Sequence, residues 1–567
     1  MKDRTFKVLA APGVLASSWA IFISVAGVSG YSIAQVAALF WAGTGLAVAA
    51  FFGIIATRKS ASSFYSYFVP FVASSAVMFP WLRRGLSLFP GSWVWDGWAY
   101  IAFGQGFLKY PLDTEMPKVI SPMYELGIGF LFHTRFVSAG LLAAFASFPF
   151  ANGDTQSAFG FVLFFYVFML ACSIGALATV LFPERRMLRW AYIVLATVSG
   201  YVTTTLHANN LDQLLAMGLL PLTVALALKL EWANRNQATL LGFVCAGMTS
   251  VYPELSPATL GMPAVVIMWR IWNEGRGAPG MLKSVALGLF VFFLAASPAI
   301  YGLASFFVHQ LALGAQAFAA GQMRPGEDYF VQFYFPECTL GAIWSLYPPM
   351  MMPRCHDQFA FQAGNVGVAL TAISLVGAVL WPRRLKPILF CAILPLLVGI
   401  LILVVNHYDY AAYKFFGVGF PFWSALAVYG AFCARSLFAK LLMGAVAVSY
   451  FAVVALRISY IDDAAKYKTV EVFKAPLSDI RSNANVALKL SDSLAYEWAA
   501  YYLRDNNLIT IEGALVYLPN PKSARPEGKA QYLVTDTTAP SCWGQAIGSS
   551  DAYAVFRSPG TEGDCAP

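Results

Sequence analysis

Charge is scarce in this chain of 567 residues. Only 12% of the residues are Asp, Glu, Lys or Arg, whereas 59% are hydrophobic, and soluble domains carry a charged fraction of about 25%. This balance excludes a water-soluble globular protein. Charge-free apolar runs recur, each near the ~20 residues that a helix needs to cross a bilayer. The sequence therefore predicts an α-helical polytopic membrane protein.

Signatures of common soluble chemistries are missing as well. The sequence has no phosphate-cradling GxxxxGK[ST] loop, no GxGxxG after a strand and no GxSxG nucleophile turn. It also lacks HExxH and CxxC, and its five histidines are scattered. We therefore predict no metal site and no required cofactor, while carboxylates leave a divalent cation open.

Basic residues concentrate on one side of the predicted topology. We place the N-terminus in the cytoplasm. The cytoplasmic segments then contain 18 Lys and Arg against four Asp and Glu, and the rest of the chain contains 19 Lys and Arg against 25 Asp and Glu. Because cytoplasmic loops accumulate basic residues, the net charge of +8 is a topology signal and not a nucleic-acid signal. Thirteen spans are predicted, at about 8–30, 34–56, 62–82, 157–182, 187–206, 211–229, 237–253, 257–272, 284–307, 362–381, 387–405, 415–434 and 437–459.

The cysteines fit this topology. Four lie inside predicted spans, where a thiol acts as a small apolar group: Cys172, Cys245, Cys391 and Cys433. The other four all lie on the predicted outer side, in an oxidising compartment where disulfides form. Proximity in sequence predicts two pairs, Cys338 with Cys355 and Cys542 with Cys565.

The chain divides into three predicted regions. Residues 1–60 form a transmembrane hairpin, whose first run is kept as an anchor because no convincing cleavage site follows it. Residues 61–460 form a transmembrane core with two long outer loops, 83–156 and 308–361. The apolar stretch 128–150 predicts helices lying along the interface, with a short hairpin as the alternative. Residues 461–567 alternate strand and helix signals, which predicts a small α/β domain outside the cytoplasm, in the periplasm or extracellular space.

Ionisable residues mark the predicted outer ends of several spans. Asp96 lies in an aromatic string that runs from Trp93 to Tyr100. Asp212 follows an outer turn, Glu254 stands between two prolines, and Lys414 heads the twelfth span. Plainer explanations are open as well. Asp96 could belong to an aromatic interface belt or be a helix N-cap, Asp212 and Glu254 could lie in ordinary polar turns, and Lys414 could be a snorkelling anchor. Because ionisable groups near the bilayer are costly and these share one face, we predict a convergent outer cavity.

This arrangement resembles the GT-C superfamily of membrane glycosyltransferases over about residues 61–567. In that family a span leads into a long outer loop with an acidic residue near its start. Here the span ends near Leu82, and Asp96 lies in Trp95-Asp96-Gly97-Trp98-Ala99-Tyr100. A second long loop six spans later and a closing soluble domain also match, while the hairpin 1–60 departs from the pattern. The resemblance implies transfer of a sugar from a polyprenyl-phosphate donor to an envelope glycan or lipid, with inversion, in the bacterial inner (plasma) membrane.

Such a transfer needs a base for the acceptor hydroxyl and positive charge at the departing phosphate. We predict Asp96 as the base, Glu254 as a second carboxylate that orients a hydroxyl, and Lys414 as the first candidate for the phosphate. The remaining substrate-binding candidates are Arg324, Lys118, Arg135 and His407 for the phosphate, and Trp95, Trp98, Tyr124 and Asp212 for the sugar or acceptor.

Three other functions compete with this one. A lipid-linked oligosaccharide polymerase or ligase would use the same outer loops for a larger glycan. A transporter or flippase is expected to show internal repeats and paired ionisable groups at the membrane midplane, and neither is seen. A structural membrane subunit leaves the outer clusters unexplained.

Overall fold

The computed structural model describes residues 2–56, 65–91, 95–112, 136–274, 280–319, 340–346, 358–406, 409–512, 529–536 and 541–558. These residues form twenty α-helices and five strands. The helices are α1 (Lys2–Val28), α2 (Ile33–Ala56), α3 (Phe68–Val77), α4 (Phe79–Arg84), α5 (Trp95–Lys109), α6 (Val137–Ala146), α7 (Thr155–Leu181), α8 (Arg186–Thr197), α9 (Gly200–His207), α10 (Leu211–Lys229), α11 (Arg235–Val251), α12 (Ser256–Glu274), α13 (Met281–Ala319), α14 (Leu340–Ile343), α15 (Gln358–Leu380), α16 (Pro387–Asn406), α17 (Asp409–Phe432), α18 (Leu437–Ala464), α19 (Glu471–Lys474) and α20 (Ser493–Tyr502). The strands are β1 (Asn485–Lys489), β2 (Asn507–Glu512), β3 (Tyr532–Thr535), β4 (Ala546–Ser549) and β5 (Ala554–Arg557).

Every predicted span coincides with a helix or with two consecutive helices. Within the described residues, eight helices are long and apolar enough to cross a membrane: α1, α2, α7, α10, α13, α15, α17 and α18. The other five predicted spans are the single helices α11, α12 and α16 and the pairs α3–α4 and α8–α9. The helical membrane architecture is therefore confirmed, and the number of thirteen spans stays a prediction.

The chain forms two compact units that alternate along the sequence. Unit 1 comprises Met1–Ser24, Leu39–Phe79 and Leu163–Ile461, and unit 2 comprises Val25–Ala38, Pro80–Val162 and Asp462–Pro567. Unit 2 thus joins most of the first outer loop to the C-terminal region. The three predicted regions follow chain order, whereas the units follow contacts.

Helices of unit 1 approach one another closely where glycine replaces a side chain. A Cβ built on Gly377 of α15 would lie 2.0 Å from the backbone oxygen of Leu426 in α17. A Cβ on Gly242 of α11 would lie 2.2 Å from the backbone oxygen of Gly288 in α13. Small residues allow such approaches between membrane helices, where dispersion and not the hydrophobic effect drives association.

Two pairs of segments next to loops predicted to be cytoplasmic are in contact within unit 1. The Arg270 guanidinium in α12 donates to the backbone oxygen of Ala227 in α10 over 3.1 Å. The guanidinium of Arg185 lies 4.3 Å from the ring centroid of Phe432, at the end of α17. Each pair comes together as a shared side would require, and the cytoplasmic placement of these loops stays a prediction.

The C-terminal part of unit 2 contains the predicted α/β domain. Its sheet has the order β2-β1-β3-β5-β4, with β1 parallel to both β2 and β3 and with β5 antiparallel to β3 and β4. Ala487 of β1, Leu533 of β3 and Trp543 form a buried apolar cluster at this sheet. Asp492 is the N-cap of helix α20, because its carboxylate accepts the backbone N–H of Ala495 over 2.9 Å.

Helix α6 differs from its prediction as an interfacial helix with one apolar side. Nine of its ten residues are buried, so apolar contacts surround it instead of covering one face. Part of this packing is against α5, where a Cβ on Gly104 would lie 3.0 Å from the backbone oxygen of Ala139.

Candidate functional site

Asp96 lies in the first turn of α5, of which it is the second residue. An acidic side chain is favoured at this position because the helix dipole is positive at the N-terminus. Glu254, the other predicted carboxylate, belongs to the 3₁₀ turn Pro253–Leu255. For these two residues and for Trp95, the structure describes the backbone and not the side chain.

Trp98 differs from its predicted role as a sugar-stacking ring. It is 2% exposed, and its indole N–H donates to the backbone oxygen of Glu497 in α20 over 2.9 Å. A ring with neither face open cannot receive a sugar in this conformation. Trp98 is instead a packing contact that joins α5 to the C-terminal domain.

A buried network continues this junction along α5. The Tyr501 hydroxyl donates to Asp154 Oδ1 over 2.5 Å, and Gln105 Oε1 accepts the backbone N–H of Thr155 over 3.1 Å. The Thr155 hydroxyl donates to the backbone oxygen of Ile101 over 2.7 Å. Burial, together with the Asp154 carboxylate, raises the pKa of Tyr501 above its ordinary value, so the hydroxyl keeps its proton. Helix α5, which carries Asp96, is therefore held to α20 at two places, by the Trp98–Glu497 hydrogen bond and by the contact of the Tyr501 hydroxyl with Gln105 Oε1.

Unit 1 contains a second polar cluster around α9 and the start of α10. Asn209 adopts a left-handed φ of 52°, and the Asn210 side chain caps α10 by accepting the backbone N–H of Gln213 over 3.1 Å. Asp212 follows in the first turn and is 1% exposed. The solvated turn that the sequence left open for Asp212 is therefore excluded. The buried polar side chains of this stretch are Thr203, Thr204, Thr205, His207, Asn209, Asn210, Asp212 and Gln213.

Arg457, in α18, reaches into this cluster and is 2% exposed. Its Nη1 donates to the backbone oxygen of Gly200 over 3.2 Å and to Ser345 Oγ over 3.4 Å, and its Nη2 donates to Thr204 Oγ1. Gly200 permits this arrangement because a Cβ there would lie 1.9 Å from the backbone oxygen of Ser345. All the partners of Arg457 within the described residues are neutral.

Tyr413 and Lys414, at the start of α17, adjoin the same cluster. The Tyr413 ring stacks on Tyr201 with centroids 5.2 Å apart and an interplanar angle of 28°. Lys414 Nζ lies 5.1 Å from the ring centroid of Tyr252, which is 1% exposed. A half-buried ammonium over a buried ring is a cation–π contact. Lys414 therefore turns toward the protein, unlike a snorkelling anchor.

Sequence reasoning missed Arg457. A single arginine near the end of an apolar span has the same pattern as an interfacial anchor, and only the fold brings it to Thr204. Five predicted residues lie outside the described part of the chain, and their roles stay predictions: Arg324, Lys118, Arg135, His407 and Tyr124.

The predicted disulfides and the divalent cation stay untested as well. Of the four outer cysteines, the structure describes Cys542, in the 3₁₀ turn Ser541–Trp543, while Cys338, Cys355 and Cys565 lie outside it. The four cysteines predicted inside spans are free thiols. Across the described ranges, His, Cys, Asp and Glu do not gather in groups of three or more that could hold a metal ion.

The chain is similar to several solved structures of membrane glycosyltransferases. The oligosaccharyltransferase AglB of Archaeoglobus fulgidus, in complex with an inhibitory peptide and a dolichol-phosphate, is 12% identical at a TM-score of 0.46, with 84% of this chain and 70% of that chain covered. ArnT of Cupriavidus metallidurans, bound to undecaprenyl phosphate, is 10% identical at a TM-score of 0.48, with 88% of this chain and 98% of ArnT covered. The arabinofuranosyltransferase AftD from Mycobacteria is 14% identical at 0.43, with 84% of this chain but 41% of AftD covered.

These neighbours are GT-C glycosyltransferases, the superfamily that the sequence resembles. No protein-family model and no curated protein matches the chain. At identities of 10–14%, function has to come from the residues of this chain.

Proposed function

We propose that this protein is a membrane glycosyltransferase that moves a sugar from a polyprenyl-phosphate donor to a cell-envelope glycan or lipid. The observation that carries the proposal is Arg457, a buried cation in a spanning helix whose described partners are Gly200, Ser345 and Thr204, all neutral. Each further role below follows from that charge or from the sequence.

An uncompensated guanidinium in a membrane helix needs an explanation. Burying an ion costs several kcal/mol even after relaxation, and three neutral hydrogen bonds offset only part of that cost. Ionisable groups in membrane segments are therefore functional candidates by default. An anionic ligand would supply the missing charge, and a lipid phosphate is an anion that a membrane enzyme meets near the predicted outer end of a spanning helix.

Lys414 adds a second cation to the same cluster. Its neighbour Tyr413 stacks on Tyr201, which directly follows the Gly200 carbonyl that binds Arg457. Two cations at one phosphate would stabilise the negative charge that develops as the carrier leaves the sugar. We assign the phosphate to Arg457 and Lys414.

Asp96 is proposed as the general base that takes the proton of the acceptor hydroxyl, with Glu254 orienting a hydroxyl. The first turn of α5 favours the ionised form that a base requires. Inversion at the anomeric carbon is the stereochemistry that the superfamily resemblance implies. The donor and acceptor sit at the outer face of a bacterial inner membrane, with the N-terminus in the cytoplasm and the C-terminal domain outside.

The test measures lipid binding and sugar transfer separately, with purified protein in lipid nanodiscs. For Arg457→Gln we expect the Kd for undecaprenyl phosphate to rise about 10- to 100-fold, because a hydrogen bond to a charged group contributes about 1.5–3 kcal/mol. Arg457→Lys keeps the charge, so its Kd should lie between those of the wild type and Arg457→Gln. The matched control is Arg435→Gln, an exposed arginine before the same helix, and its Kd should not change.

Asp96→Asn tests the base in the same preparation. We expect release of polyprenyl phosphate from a polyprenyl-phosphate sugar to slow by at least about 100-fold, the lower range for losing a general base, with the Kd unchanged. Full activity in this variant would remove Asp96 as the base. Failure of the wild-type protein to bind any polyprenyl phosphate would contradict the whole proposal, and transfer of several sugars at once would favour the oligosaccharide ligase.

A further inference from the structure

Glu497 is a carboxylic acid buried inside unit 2. It lies in α20 and is 1% exposed, and neither of its carboxyl oxygens has a hydrogen-bond partner within the described residues. An ionised carboxylate in such a place is very costly. Burial accordingly raises the pKa of Glu497 from 4.5 to about 8, so the side chain is neutral at pH 7.

The position of Glu497 links it to the helix that carries Asp96. The Glu497 backbone oxygen accepts the Trp98 indole N–H over 2.9 Å, and Trp98 follows Asp96 by two residues in α5. Glu497 and Tyr501 are one turn apart on α20, so they share a face of that helix. The Tyr501 hydroxyl lies 3.1 Å from Gln105 Oε1 of α5. The face that carries Glu497 therefore packs against α5.

The described charged side chains of the neighbouring elements are engaged elsewhere or exposed, with Glu471 and Lys474 exposed and Arg504 donating to the backbone oxygen of Tyr501. Lys109 of α5 pairs with Asp505 over 3.1 Å, and the Asp154 carboxylate accepts from Tyr501. Burial is the one cause of the pKa shift of Glu497, so none of these groups compensates a charge on it. The titratable or charged residues on and around α20 and the helices that pack with it are Asp96, Tyr100, Lys109, Asp154, Glu471, Lys474, Tyr496, Tyr501, Tyr502 and Arg504.

We propose that Glu497 is a positioning residue, whose neutral carboxyl allows α20 to hold α5 and with it the backbone of Asp96. The inference rests on the proposed function for the part that concerns Asp96. Ionisation of Glu497 leaves a charge without a partner between the two helices, and α5 then separates from α20. The contact between α5 and α20, called the clamp below, therefore holds the helix that carries Asp96 in a pH-dependent way.

The direction of the pH effect follows from the two protonation states. With α5 in place the carboxyl titrates near pH 8, and once exposed it titrates near its ordinary value of 4.5. Between these values the closed form holds one more proton than the open form. Each added pH unit therefore weakens the clamp by about tenfold, and the effect stops above pH 8.

Hydrogen exchange of residues 95–109 tests the clamp in the full-length protein in nanodiscs. After correction for the intrinsic rate at each pH, we expect the opening equilibrium of the wild-type helix to rise by up to about 100-fold between pH 6 and pH 8. Glu497→Gln keeps the shape and cannot ionise, so its protection should stay constant. Glu471→Gln, at an exposed glutamate in α19, is the matched control and should behave like the wild type.

A second variant separates titration from packing. Trp98→Phe removes the indole donor at every pH, so it should loosen α5 while leaving the pH dependence in place. A wild-type helix with constant protection, or a Glu497→Gln variant that keeps the wild-type pH dependence, would overturn the inference. The exchange measurement needs no sugar transfer, so failure of the proposed function and failure of the clamp are separate results.

Discussion

At the level of single residues, three buried ionisable groups are accommodated in three different ways. Asp462 is bound by two guanidinium groups, with Arg83 Nη2 at 2.7 Å and Arg84 Nη2 at 2.9 Å from its Oδ2. Glu497 is neutral, and Arg457 keeps its charge among neutral partners. Because an unpaired buried charge is costly, only the first arrangement is explained by stability alone. Function is therefore sought at the other two.

Tyr501→Phe tests how strongly the buried network holds unit 2 together. The change removes the donor to Asp154 and leaves a partly buried carboxylate with one bond fewer, which costs about 1–3 kcal/mol. We expect the midpoint of thermal unfolding in detergent to fall by a few degrees. Tyr31→Phe, at a residue that is 50% exposed, should leave the midpoint unchanged, and equal midpoints for both variants would contradict this role.

The residue types of the polar clusters could be predicted from the sequence, but their partners could not. Asp212 and Lys414 were identified because polar residues interrupt apolar runs at predicted outer ends. Arg457 was missed because its partner Thr204 is 253 residues away in the chain. Trp98 was misassigned for the same reason, since Glu497 lies 399 residues from it. Hydrophobic periodicity carries no information about such pairings.

At the level of helices and strands, the long apolar runs predicted where the helices lie but not where a helix is interrupted. The predicted span 62–82 is broken at Met78, just before Phe79-Pro80, where proline favours the first turn of a new helix. The predicted span 187–206 is broken before Ser199, whose side chain caps α9 by accepting from Val202. Strand β4 gives no strand signal in the sequence, because Ala546-Ile547-Gly548-Ser549 shows no alternation of apolar and polar residues, and Ala546, Ile547 and Ser549 are exposed. At the two helix breaks the local signals were present, but long apolar runs outweighed them.

Gly377→Ala tests whether close helix approach stabilises unit 1. The new Cβ would lie 2.0 Å from a backbone oxygen of α17, so α15 and α17 have to separate, at about 1–3 kcal/mol. We expect a lower midpoint of thermal unfolding. Gly444→Ala is the matched control, since its Cβ would meet nothing within 4 Å, and in α18 it should gain up to about 1 kcal/mol of helix stability. Equal stabilisation by both would show that helix propensity, and not packing, dominates.

For the whole molecule, the number of spans decides which compartment holds the C-terminal domain. Seven predicted spans follow residue 233, whereas only four of the eight helices that meet the length and hydropathy criteria do. An odd number places the C-terminal domain opposite the loop between α10 and α11, and an even number places it on the same side. The difference lies in α11, α12 and α16.

Contacts inside unit 1 leave the parity to α16. The Ser284 hydroxyl at the start of α13 donates to the backbone oxygen of Trp232, just before α11, so α11 and α12 together return to the end where they began and add two crossings or none. Helix α16 has 20 residues and a length of about 30 Å at 1.5 Å per residue. It lies against the spanning helix α17, where a Cβ on Gly399 would lie 2.5 Å from Phe416 Cε1, and this length and packing favour a crossing and therefore the odd number.

Alkaline phosphatase fusions distinguish the two topologies, because the enzyme folds only where its disulfides form. A fusion after Pro567 should be active, and a fusion after Ala233, in the loop predicted to be cytoplasmic, should be inactive. Green fluorescent protein at the same two positions is the reciprocal control and should fluoresce only after Ala233. If both phosphatase fusions are inactive, the even number is correct, and the C-terminal domain with the α5–α20 contact faces the compartment of the basic loops. An outer-face transfer reaction would then be excluded, because α20 and the α5 that it holds would lie on the cytoplasmic side.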